Sequence, residues 1–300
     1  MPDMLELLKE IYPHFMAPVS EGTDIANAIY CRELPFTVHE YACGSEYNGW
    51  QIPQGWKPLK AEIRKDGELI YDGTWHHLGV WGYSQSFQGT IDLEELKKHL
   101  AYSEEWDDAI VYYGDLYYKL GRKDWGFSIP KALFQKLLPG NYTIDLQTEF
   151  VSSTLKVLDY FVSGKSPETI VLNAHNCHAA QANDDTSGCV VGVEIMKRVL
   201  ANPGYYSFRL LICPELYGTL FWLRDRTAEE RQNLKLETKE EILSEIKRAV
   251  EQESHTKENI EEELVKNAIE GEDIEPKEEL EDPRARIISE LKAVYRSDLV

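Results

Sequence analysis

NAHNCHAAQANDDTSG, residues 173–188, is the stretch on which the reading of this 300-residue chain turns. It packs His175, Cys177, His178, Asp184 and Asp185 into eleven positions. An apolar run, TIVLNA (169–174), stops where the stretch begins. A helical run, CVVGVEIMKRVL (189–200), starts where it ends. In open α/β sheets, ligands sit beyond the carboxyl ends of the strands, and a strand–turn–helix of this kind supplies such a place. Imidazole and carboxylate suit Zn²⁺ and related divalent ions, as neutral imidazole and ionised carboxylate. Residue chemistry alone also offers plainer readings. NDDTSG reads as a helix cap through Asp185 or Thr186. His175 reads as a packed or hydrogen-bonded histidine, and Cys177 as a small buried apolar residue.

Working outward, TIVLNAH is nearly continuous in apolar character, as expected of a strand covered on both faces. YSFRLLICPE predicts a second buried strand, and LYGTLFWL a helix after it. Upstream, NYTIDLQTEF (141–150) and TLKVLDYFV (154–162) alternate across a short polar break and predict an antiparallel pair. The order of hairpin, strand, helix, strand, helix implies an α/β layer with parallel central strands and crossover helices. If the two buried strands are neighbours, His178, Asp184 and Glu215 converge on one sheet edge. Glu215 has its own plainer reading, as a first-turn residue of the helix that follows.

The N-terminal part predicts a helix within residues 4–15, limited by Pro13. A second helix follows over GTDIANAIYCREL with Thr23 or Asp24 as cap, and then a strand, PFTVHEYA. From about Gly44 the chain is rich in Trp, Tyr, Gly and Pro. AEIRKDGELIYDG reads as a hairpin about Asp66-Gly67, because Asp-Gly suits the positive φ angles of tight turns. Thr90 or Asp92 opens a short helix. Residues 46–135 are expected to form a β-rich unit inserted into a larger domain. Trp75-His76-His77 suggests a second metal or sugar face, although adjacent side chains on a strand point to opposite sides.

The formal net charge of −20 argues against nucleic acid and against an anionic membrane as partners. Residues 224–300 hold 23 acids against 14 bases, while all seven Trp lie at or before Trp222. The expectation is a compact part ending near residue 235 and an acidic helical tail over 236–300, with GEDIEPKEELED as a disordered segment or linker. The N-terminus lacks a signal-peptide pattern, and no apolar run approaches a membrane span. Five scattered cysteines without a CxxC pair fit a reducing cytosol.

The pattern H-x-C-H-x-x-x-A-N-D-D-x-S-G after an apolar strand resembles that of bacterial aminopeptidase-like proteins related to the co-catalytic di-zinc exopeptidases, which carry an inserted domain of unknown function. Cys177-His178, Ala182-Asn183-Asp184-Asp185 and Ser187-Gly188 carry the likeness. The segments LLKEIYPHF, WQIPQGW, IDLEELKKHL, DWGFS and ICPELYGTLFWL add to it over residues 4–235. The resemblance implies a zinc-exopeptidase-like α/β fold: a mixed sheet with crossover helices, made from residues 1–45 and 136–235 around the β-rich insert. It implies one or two zinc ions, with His178 or His175 binding one and Asp184 bridging two, and Glu215 as general base. The expected substrate is a small peptide, an aminoacyl conjugate or an acylated sugar, cleaved at a peptide-type amide.

Departures bear on these expectations. Ala179 stands where the family has Pro, and the family's adjacent Glu pair is absent at Glu215. The later acidic ligand and His-Thr pair have no plain counterpart, His255-Thr256 lying in a charged run. An inactive member is therefore one expectation. A competing one is a non-catalytic binding protein that turns the aromatic insert (Trp50, Trp56, Trp75, Trp81) toward a glycan or protein partner.

Overall fold

The computed structural model describes residues 4–118 and 121–235. The expected acidic tail and His255 lie outside them. In chain order the main elements are α1 (Met4–Ile11), α2 (Glu21–Glu33), β1 (Thr37–Ala42), β2 (Gly55–Lys65), β3 (Glu68–Asp72), β4 (Phe87–Asp92) and α3 (Leu93–Lys98). They continue with β5 (Asn141–Val151), β6 (Thr154–Val162), β7 (Thr169–His175), α4 (Ser187–Ala201), β8 (Ser207–Cys213), α5 (Tyr217–Arg224) and β9 (Leu234–Lys235).

Two sheets organise these elements. The main one is mixed, with strand order β1-β6-β8-β7-β9. β6 is antiparallel to β1 and β8, whereas β7 runs parallel to β8 and β9. α1, α2 and α4 cover one face through Leu7, Ile11, Ala26, Tyr30, Val193 and Met196. On the other face, α5 packs Tyr217, Phe221 and Trp222 against Val157, Leu211 and Cys213. The apolar run of β7 is thereby explained: Leu172 packs with the first layer and Val171 with the second.

The second sheet is antiparallel, with order β3-β2-β5-β4. Its core holds Trp56, Ile63, Tyr71, Trp81, Phe127, Tyr142 and Leu146. β5, beyond residue 135, completes this sheet. The β2–β3 hairpin turns at Asp66 and Gly67, with φ of 50° and 85°, as the Asp-Gly pair predicts. Asp92 caps α3 by accepting from the Glu95 amide.

Three local expectations are corrected. β5 and β6 do not pair: β5 joins β2 and β4, and β6 joins β1 and β8. The polar break at 152–153 hands the chain from one sheet to the other, and strand alternation alone carries no information about partners. Ser20, not Thr23 or Asp24, caps α2 by accepting from the Thr23 amide. Thr23 instead donates its hydroxyl to the Ala17 carbonyl, and Asp24 pairs with Lys156. Trp56 and Trp81 are buried core residues rather than members of an exposed aromatic face; of the four tryptophans named for binding, only Trp75 is largely exposed, at 61%. His77 is bonded to the Pro13 carbonyl and so ties this turn to the segment after α1, while His76 accepts the Leu78 amide within the turn itself.

Asp145 on β5 illustrates how charge is handled on this sheet. It pairs with Lys60 at 2.5 Å and accepts from Gln88 and Gln147. Lys60 first, then the two amides, hold its carboxyl down at about 2, below the ordinary 3.8. A depressed folded-state pKa stabilises above the unfolded value, and the contribution fades as pH falls through the folded one. Asp145→Asn is expected to lower the melting temperature slightly at neutral pH, the gap to wild type narrowing between about pH 4 and 2. A gap that stays constant over that window would contradict the assignment.

Among the described residues, no helix is long and apolar enough to cross a membrane.

Candidate metal centre

β7 and β8 lie side by side and in parallel, with His175 opposite Cys213. The chain therefore leaves the sheet at the same level twice, once into residues 176–186 and once into Pro214-Glu215. The Asn176 amide donates to the Cys213 carbonyl, and the Asn176 side chain donates to Asn27 on α2 at 2.6 Å. Both asparagines are buried, so the loop is anchored to the helix beneath it through an amide pair.

The three sequence-predicted ligands and the predicted base are brought together. His175 Nε2 lies 2.9 Å from Asp184 Oδ1. His178 lies between two carboxylates, Nδ1 at 3.8 Å from Asp184 Oδ2 and Nε2 at 3.6 Å from Glu215 Oε2. The imidazoles meet edge to face, with centroids 4.8 Å apart. A gradient of exposure runs through the group: the His178 side chain is 7% exposed, Glu215 43% and Asp184 64%. Burial, and then the neighbouring His175, push the His178 pKa below its ordinary value. Its neutral form is thereby favoured, the form that ligates a cation.

Asp185 does different work. Its carboxylate accepts the His175 amide at 3.1 Å and is also bonded by the Gly188 amide. It thus joins the end of β7 to the first turn of α4, and its burial raises its pKa. The plain helix-cap reading of NDDTSG therefore holds for Asp185. Glycine is required at 188 because a Cβ there would lie 2.1 Å from Asp185 Oδ1. Thr186 turns back instead, donating to the Gln181 carbonyl.

Cys177 is buried, and its sulfur accepts the Glu215 amide at 3.2 Å. Burial pushes its thiol pKa well up. Its sulfur and one ring nitrogen each of His175 and His178 lie within 4.8 Å of one another.

The donor set suits a divalent cation of the zinc class: two imidazoles, an exposed carboxylate and a thiol at one strand end. An observation of the fold agrees. His175 Nδ1 is buried with no hydrogen-bond partner among the described residues, a costly state for a polar nitrogen.

Some contributors could not be found by local pattern. Tyr112 presents its ring to His178 edge-on at 5.0 Å. The Tyr217 hydroxyl donates to the Tyr117 carbonyl at 2.9 Å. Tyr112 and Tyr117 come from the segment between α3 and β5, far from residues 173–188 in sequence, and only the tertiary fold brings them beside the site. Leu216, directly after Glu215, is half-exposed and has a φ of 61°. That conformation costs energy in a non-glycine residue and marks a tight turn out of β8.

A Clostridium acetobutylicum protein named for polysaccharide biosynthesis and an aminopeptidase-like domain is 28% identical over 235 residues, 78% of this chain and 53% of its own length. The chain thus spans about half the length of that curated relative. The crystal structure of a peptidase-named protein from Clostridium acetobutylicum superposes with a TM-score of 0.66 at 27% identity, over 77% of this chain and 54% of the other. A zinc aminopeptidase from Bacillus subtilis, BSAP, shares the fold at a TM-score of 0.53 and 14% identity, over 77% of this chain and 65% of the other. The expected aminopeptidase-like α/β fold is thus present. A family model described as a domain of unknown function matches residues 5–278, reaching beyond residue 235, where the recognisable motifs stop. The chain belongs to that family, DUF4910.

Proposed function

We propose that this chain is a zinc-dependent, aminopeptidase-like hydrolase acting on a peptide-type or aminoacyl amide bond. The observation that carries the reading is the meeting of His175, His178, Asp184 and Glu215 beyond two parallel strand ends, with successive groups 2.9–3.8 Å apart. His175, His178 and Asp184 would hold a zinc ion. Bound there, the ion would supply Lewis acidity toward a carbonyl group. Among the described residues Leu216, not a second carboxylate, follows Glu215, which favours one ion over two.

The remaining work falls to the chain. Burial, and then His175, favour the neutral imidazole of His178, the form able to donate an electron pair. The Glu215 carboxylate, on the solvent side of His178, takes the proton of the attacking water and later returns it to the leaving amine. The hydrogen bond that the Glu215 amide donates to Cys177 Sγ fixes the backbone that carries this carboxylate. A small peptide, an aminoacyl conjugate or an acylated sugar is the substrate class; the last is supported by the polysaccharide wording of the relative's name. A cytoplasmic setting is supported by five cysteines that are all free.

The purified full chain is expected to contain zinc and to melt at a higher temperature when zinc is added. Asp184→Asn is expected to bind zinc more weakly by about 10- to 100-fold or more, since even supporting residues of metal sites cost that much. A chain without zinc, and without a thermal shift on adding it, would sink the reading.

A further inference from the structure

We infer that Cys177 is itself a metal donor, so that the site is a mixed nitrogen–sulfur centre and not a purely histidine–carboxylate one. The inference rests on the metal reading above and specifies its donor set. Three buried cysteines surround the site, and their sulfurs have different surroundings. Cys189 Sγ donates to the His175 carbonyl at 3.3 Å. Cys213 Sγ faces Thr219 and Asn173. Cys177 Sγ alone of the three groups with the two imidazoles, all donor atoms lying within 4.8 Å.

The loop explains this placement. His175, Cys177 and His178 occupy one short exit from β7, and the Asn176–Asn27 pair pins that exit to α2. The Glu215 amide already points at the sulfur at 3.2 Å. Such an N–H···S bond stabilises a coordinating thiolate, much as outer-shell partners orient other ligands. On coordination the S–H bond breaks, its proton passes to solvent, and the sulfur electron pair forms the bond to the cation; no oxidant or reductant is needed. A thiolate donor biases the site toward zinc, cadmium and cobalt and away from magnesium, calcium and manganese.

Cobalt(II) titrated into the metal-free full chain tests this spectroscopically. The expected result is a thiolate-to-cobalt charge-transfer band in the near ultraviolet alongside the visible ligand-field bands. In Cys177→Ser the first should be lost while the second remain. Ligand-field bands without charge transfer in the wild type, or charge transfer that survives in Cys177→Ser, would overturn the inference and leave the zinc reading standing. Failure to take up cobalt at all would overturn the zinc reading and this inference with it. Should the variant not fold, the ¹¹³Cd chemical shift of the wild-type chain separates a sulfur-bearing site from a nitrogen–oxygen one.

Discussion

Glu215→Gln is expected to lower hydrolysis of an aminoacyl chromogenic amide by about 10²- to 10⁴-fold, the usual contribution of a positioned general base. Zinc content and melting temperature should stay near wild type. The isostere keeps the size of the side chain and removes the charge that accepts the proton. Because Glu215 is 43% exposed, the change leaves no buried charge uncompensated and should not disturb the fold. Its carboxylate lies 3.6 Å from His178 Nε2, so a modest effect on metal affinity is admitted, but far less than for Asp184→Asn. Steady-state kinetics on zinc-loaded protein checks the assignment. The decrease should fall on kcat, because the interaction belongs to the transition state. A variant that keeps wild-type kcat would remove Glu215 from the catalytic role.

The grouping of His175, His178, Asp184 and Glu215 was legible in sequence because most of it is locally encoded. A buried strand, a polar turn and a helix occur within one stretch, and a second strand ends in Pro214-Glu215. Only one long-range fact was needed, the adjacency of β7 and β8, and connection rules for parallel strands made it the natural expectation. The Asp66-Gly67 hairpin was legible for a similar reason, since its turn chemistry is contained in two residues. By contrast, the partners of β5 and β6 depend on strands far away in sequence, and alternation does not name them. The same holds for Trp56 and Trp81. Aromatic residues serve a core and a binding face equally well, and only the completed second sheet shows that these two are inside. Tyr112 reaches His178 from a segment whose sequence carries no sign of the site. Asp185 was legible as a cap, yet its grip on the His175 amide links the cap to the donor set in a way spacing does not reveal.

The largest effect on stability is expected away from the candidate metal centre, at Asp159 on β6. This carboxylate is buried, at 5% exposure, on the α5 face of the main sheet. It accepts from Arg209 at 2.6 and 2.7 Å, from the Trp222 indole at 2.8 Å, and lies 3.2 Å from His39 Nε2. Arg209 in turn lies over the rings of Phe161 and Trp222. Asp159→Ala would leave the guanidinium among aromatic rings without its counter-charge, and the indole N–H without its acceptor. Breaking a buried pair from one side costs about 3–5 kcal/mol, because the surviving charge stays desolvated. At about 2–4 °C per kcal/mol for a unit of this size, the melting temperature should fall by roughly 10 °C. Asp159→Asn should cost less, since it still accepts from the indole while losing the charge. The double variant Asp159→Leu with Arg209→Met should recover much of the loss, because a matched apolar pair removes the stranded charge. If Asp159→Ala melts within a degree or two of wild type, the pair is solvated in solution and the α5 layer is held by Phe221 and Trp222 packing alone.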